Sequence, residues 1–172
     1  MKRALCFILA ALLLPSLCAC TATKSNPPSE TVTFYYCTSP LGYDTKDGVI
    51  SPEKRNCEGY ANSLEFLLNL YLAGPIERGF KSPFPEGLYA ESITLSSNRV
   101  SITLSSIFSE LKGLDLTLAC VCLSKTIQEL ADVDNVYINY NNSDTGKRHT
   151  ITIGPNSYVL VDESMVSINT ED

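Results

Sequence analysis

Apolar and polar positions alternate in the stretch TVTFYYC, with Val32, Phe34 and Tyr36 on one face and Thr33 and Tyr35 on the other. A period of two is that of a half-buried strand. The segment from there to Cys57 shows no such period. It carries turn signals at Ser39-Pro40, Asp47-Gly48 and Ser51-Pro52 and reads as a long loop. Tyr60, Leu64, Leu67, Leu68 and Tyr71 then recur at helical spacing, which predicts a helix over 60–73 stopped by Gly74-Pro75. LYAESITLSSNRVSITLSS predicts two strands around a tight turn at Ser97-Asn98. Ile93 and Leu95 share a face there, as do Val100, Ile102 and Leu104. A second helix is expected over 111–130, where Leu116, Cys120, Leu123, Ile127 and Leu130 form one stripe. NVYINY alternates again, NNSDTGK is a turn, HTITI pairs back, and YVLVD adds a last short strand.

The order is β-α-β-β-α-β with an added C-terminal hairpin strand. Two helices separated by a hairpin predict an α/β protein of the α+β two-layer sandwich type, with both helices on one face of a mixed sheet.

The first twenty residues change the domain count. MKRALCFILAALLLPSLCAC has a basic start, an apolar run and small residues at its end, the form of a secretory signal over 1–19. Its last four residues, LCAC, resemble the bacterial lipobox. That resemblance implies that Cys20 is lipidated (diacylated, with palmitate-type chains) and becomes the first mature residue. Cys18 fits the pattern less well, and an ordinary cleaved signal peptide is the alternative. Two acyl chains hold a protein stably on a bilayer where one holds it marginally. The polar, Pro-containing stretch 20–30 then reads as a tether, with a domain over 31–168 and a tail over 169–172. At roughly 3.3–3.6 Å per residue the tether reaches up to about 35 Å from the membrane.

The chain carries a net charge of −6, and removing Lys2 and Arg3 with the signal leaves 11 basic residues against 19 acidic ones, or −8. Nucleic-acid binding needs clustered Lys and Arg and is disfavoured, as is adhesion to anionic headgroups by charge. Seven cysteines occur. Without Cys6, Cys18 and Cys20, four remain: Cys37, Cys57, Cys120 and Cys122. In an exported domain these permit disulfides in three connectivities. Cys37 and Cys57 are the candidate pair, closing the long loop between them, whereas Cys120 and Cys122 are poorly placed for one another in a helix. Cys120 fits the stripe as a small core hydrophobe. With no Cys-x-x-Cys and a single histidine, His149, no zinc site or other cofactor is expected.

Catalytic patterns are weak. Ser51-x-x-Lys54 has the spacing of penicillin-binding enzymes but sits in a Pro-bounded segment with no Lys-Thr-Gly after it. Cys122 with His149 reads better as a helix cysteine and a hairpin-end histidine. NYNNSDTG lacks the Gly and closing Glu of a calcium loop. No enzyme activity is expected.

The stretch LNLYLAGPIERGFKSPFPEG is the most distinctive. It resembles the hallmark of the GerMN domain of GerM-type sporulation and germination proteins. The matching residues are Gly74-Pro75, Gly79-Phe80 and Ser82-Pro83-Phe84-Pro85-Glu86-Gly87. VSITLSSIF, over 100–108, resembles the family's next segment, and TIQELADVDNVYI, over 126–138, its helix end and following strand. The similarity spans about 31–161. The long loop before Cys57 is not a family hallmark, and Ala131-Asp132 stands where the family commonly has Pro-Gly. The resemblance implies a non-enzymatic, membrane-anchored lipoprotein on the extracytoplasmic face of a bacterial cell membrane. Its expected partners are other envelope proteins, among them a sporulation complex, with oligomerisation open. A cell-wall glycan- or peptide-binding lipoprotein is the alternative, favoured if Tyr35, Tyr43 or Tyr137 lines a groove. The corner itself, with Gly74, Pro75, Gly79, Ser82, Pro83, Phe84, Pro85 and Gly87, reads either as a structural corner or as a contact surface.

Overall fold

The computed structural model describes residues 31–39, 48–60, 62–155, 157 and 167–169. The signal segment, Cys20, the tether, Tyr43 and YVLVD lie outside the described residues. Among the described residues, two sheets and two α-helices form an α+β arrangement. β1 (Thr31–Thr38) pairs antiparallel with β2 (Ile50–Asn56), and the two-residue β3 (Phe80–Lys81) joins β1 at Cys37 and Thr38. After β3 come β4 (Ala90–Ser96), β5 (Arg99–Leu104), β6 (Asn135–Asn141), β7 (Arg148–Ile153) and β8 (Ser167–Asn169), which form the second sheet in that spatial order. The β5–β6 pair is parallel and the others are antiparallel.

A parallel pair needs a crossover. Here it is α2 (Gly113–Ala131), preceded by a 3₁₀ turn over Ser106–Glu110. α1 (Leu64–Leu72) lies between β2 and β3 in sequence. It starts at Ser63, whose hydroxyl accepts from the Phe66 N–H at 3.3 Å. Tyr60, expected to open this helix, lies in the turn before it and stacks on Phe66 with ring centroids 4.4 Å apart.

The expected inward faces hold. Val32, Phe34 and Tyr36 are buried, as are Val100, Ile102 and Leu104, and Val136, Ile138 and Tyr140. With Leu67, Leu68 and Tyr71 of α1 and Leu116, Cys120, Leu123 and Ile127 of α2 they belong to a single core cluster. Two further points differ from the sequence expectation. The segment read as a loop up to Cys57 contains β2, and the strands divide between two sheets rather than sharing one.

The free edge of β1 is closed by side chains. The Tyr35 N–H donates to Thr126 Oγ1 of α2, and Tyr71 of α1 donates its hydroxyl to the Tyr35 carbonyl, both at 2.9 Å. An uncovered edge is a template for pairing with another chain. The two helices therefore cover β1 where β3 does not reach.

Candidate functional site

The stretch from Tyr71 to Tyr89 begins at the end of α1. Ala73 still has helical dihedrals, and Gly74 turns to φ +97°, a region that a residue with a Cβ avoids. Pro75 then prevents the helix from continuing. What fixes the next residues comes from β2. Glu53 is fully buried, and its Oε1 accepts from both the Ile76 and Glu77 N–H groups at 2.8 Å. Its Oε2 accepts from Arg55 at 2.6 Å. Arg55, also buried, donates to the Gly74 carbonyl at 2.6 Å, the Leu70 carbonyl at 3.3 Å and the Tyr36 hydroxyl at 3.1 Å. Its guanidinium also lies 4.9 Å from the Phe34 ring centroid.

Each half of this ion pair serves one side of the corner. A helix ends with unpaired carbonyls, and Arg55 takes up those at Leu70 and Gly74. The outgoing chain presents unpaired N–H groups, and Glu53 takes up two. Burial pushes the Glu53 carboxyl up. The hydrogen bonds from Arg55, Glu77 and Ile76, with the Arg55 charge, outweigh it and hold the carboxyl below its ordinary value.

Beyond β3 the chain folds under itself. The Phe84 N–H donates to Ser82 Oγ at 3.2 Å, and the Leu88 N–H donates to the Pro85 carbonyl at 3.3 Å. Gly87, at φ +83°, permits that second turn. Phe84 and Leu88 are buried, and Phe84 meets Tyr71 edge-on at 5.4 Å. Glu86 and Tyr89 face outward. The segment forms a wall between two cavities. The larger, about 530 Å³, has Leu72, Phe84, Leu88 and Tyr89 as apolar walls and Asn69 and Glu86 among its polar groups. The smaller, about 220 Å³, is bounded by Phe84, Pro83, Pro85, Lys81, Asp115 and Cys37.

The corner residues singled out in the sequence are thus brought together, whereas the cysteine pair is not. Cys37 stands opposite Ile50, and Cys57 follows Asn56, which stands opposite Thr31 at the other end of the same two strands. At about 3.3 Å per residue their separation is roughly 20 Å, far beyond the about 7 Å limit for a disulfide. Both thiols are free. Cys37 instead shares a cavity lining with Asp115 and Leu118 of α2. Cys120 is buried as expected, and burial pushes its thiol up to about 12.

Ser51 and Lys54 fall on opposite faces of β2, Ser51 buried and Lys54 exposed, so they do not meet as a catalytic pair. Tyr35 is tied to α2, donating its hydroxyl to Glu129 at 2.7 Å with Lys125 Nζ 4.9 Å over its ring. Tyr137 lies on the polar face of the second sheet beneath Arg99, and both line a cavity of about 270 Å³ with Thr94, Ser96 and Ser101. The Asn142 side chain caps the β6–β7 turn, accepting from the Asp144 and Thr145 N–H groups. Among the described residues no group of three potential metal ligands converges. Glu53 and Arg55 are the residues the sequence reading missed. The signal available for them was a charged i, i+2 pair beside a proline.

No family model matches this chain, and neither the curated proteins nor the solved structures contain a match to it.

Proposed function

We propose that the chain is a lipoprotein of the extracytoplasmic membrane face, anchored through Cys20, whose GerMN-like domain binds other envelope proteins in a sporulation or germination complex. In this reading it makes and breaks no bonds itself. The observation that carries it is the groove of about 530 Å³ beside the corner. Its apolar walls and few polar groups suit a docked peptide segment. Of the residues that carry the GerMN resemblance, Gly74, Ser82, Phe84, Pro85, Glu86 and Gly87 line it. The clamp beneath the corner also means that little ordering is left to be done on binding, which favours affinity.

The test is recovery of cross-linked partners from membranes of the native cell, using full-length chain carrying Glu86→Lys or Tyr89→Ser. Both side chains are exposed, so melting stays near wild type. The expected result is loss of an envelope protein that the wild-type chain captures. Unchanged recovery from both variants contradicts the proposal.

A second reading, a module that binds cell-wall glycan or peptide, has one observation in its favour. Tyr137 lines a cavity with Arg99 and three hydroxyl side chains. An aromatic face with flanking hydrogen-bonding groups is what a sugar ring uses. Titration with soluble wall fragments, comparing wild type with Tyr137→Ala, separates the two readings. Saturable binding lost in the variant favours the second.

A further inference from the structure

The contact between β1 and α2 brings together two thiols that the proposed function does not use. The Tyr35 N–H meets Thr126 Oγ1 at 2.9 Å. Two residues further along β1, on the same face as Tyr35, is Cys37, and one helical turn before Thr126 is Cys122. Cys37 lines a cavity with Asp115 and Leu118, which lie on the same side of α2 as Cys122 and Thr126, so strand and helix run in opposite directions and these steps bring Cys37 and Cys122 to face one another. They are not equally reachable. Cys37 lines the cavity of about 220 Å³, whereas Cys122 is fully buried and is not part of that lining.

We infer that Cys37 and Cys122 form a dithiol–disulfide site, with Cys37 the outward sulfur that exchanges with an external disulfide and Cys122 the inner sulfur that resolves it. The inference does not depend on the envelope reading. In the first step the Cys37 thiolate attacks one sulfur of the donor disulfide. The donor S–S bond breaks, a mixed disulfide forms, and the departing donor thiolate takes up the proton that Cys37 released. In the second step the Cys122 sulfur attacks Cys37. The mixed disulfide breaks, the Cys37–Cys122 bond forms, and the second donor sulfur leaves with the Cys122 proton. Two protein thiols are oxidised, and one donor disulfide is reduced to two thiols.

The electrostatics favour this order. The hydrogen bond from Cys122 lowers the Cys37 pKa against the opposing effect of burial. Lys81 of β3 lowers it further, and Asp115 of α2 raises it. Cys122 is pushed up, first by the same hydrogen bond and then by burial, with Lys125 opposing. Cys37 therefore ionises first, and it is the sulfur at the cavity. The bond would staple β1 to α2 across a closed loop of about 85 residues, a span over which a cross-link constrains the unfolded chain strongly.

The experiment uses the full chain, purified reduced and then incubated under native conditions with oxidised glutathione. Alkylation and peptide mapping without reductant follow. The expected product is a Cys37–Cys122 cross-link, with Cys57 and Cys120 alkylated. Its melting midpoint should lie roughly 5–15 °C above that of the reduced chain and return on reduction. In Cys122→Ala, Cys37 should be recovered as the glutathione mixed disulfide. In Cys37→Ala, Cys122 should be recovered unmodified. A wild-type chain that gives no internal cross-link, a cross-link through Cys57 or Cys120, or an oxidised form that melts lower would each overturn the inference. None of these three readouts depends on a variant folding.

Discussion

Glu53 is the residue on which the corner turns. It is fully buried, and each of its oxygens is in use, one by two backbone N–H groups and the other by Arg55. Glu53→Gln leaves Arg55 buried without its counter-charge. A cost of about 3–5 kcal/mol is expected, read from denaturant unfolding. The carboxyl is held below its unfolded value of 4.5, so its contribution is complete above that pH. It is lost as pH falls from there through the lowered folded value. The wild-type stability curve should therefore steepen below about pH 4.5, and in Glu53→Gln that part of the slope should be absent. An unchanged slope in the variant would contradict this assignment. Phe84 lies on the inner side of the corner. It lies 9% exposed against Tyr71, so its ring is part of the core. Phe84→Ala should cost about 3–5 kcal/mol, and wild-type melting in that variant would move the side chain to the surface.

The limits of the sequence reading show best in β2. Strand patterns are found by alternation of apolar and polar residues. The inward face of β2 is Ser51, Glu53 and Arg55, and its outward face is Pro52, Lys54 and Asn56. Both faces are polar, so the alternation that marks the other strands is missing, and Pro52 adds a breaker. The structure accommodates that proline simply. Tyr35, opposite Pro52, turns its N–H away from β2 toward Thr126, so this pair needs no bond from position 52. β1, β5, β6 and the buried stripe of α2 were legible because an apolar face decides them. The β2 clamp was not, because it is specified by contacts with residues up to 24 positions away. The Cys37–Cys57 expectation failed for the same reason: closing a loop differs from pairing its two flanking strands, which sends the ends apart. The helix exit was legible as Gly-Pro. A Cβ at Gly74 meets only Ser82 Cβ at 3.9 Å, so the space is open and the backbone conformation sets the cost. Gly74→Val should destabilise by roughly 1–3 kcal/mol in thermal or denaturant unfolding, and a neutral effect would mean that the exit is not held at positive φ.

At the scale of the whole molecule, the proposed function joins a lipid anchor to the domain that carries the corner. The anchor expectation is tested on its own: Cys20→Ala should abolish incorporation of labelled palmitate and leave an uncleaved precursor. Label that persists in Cys20→Ala and disappears in Cys18→Ala would reassign the lipid. Within the domain, Glu53 and Arg55 grip the corner from beneath, so that it presents a fixed outer surface. Ile76 and Glu77 test that grip most directly. Both side chains are exposed, Ile76 at 74%, yet both amides are bound to Glu53. Native-state hydrogen exchange at these two amides should be slowed roughly a hundredfold or more relative to an unstructured peptide. Exchange at unstructured-peptide rates would show the corner ungripped and contradict the account.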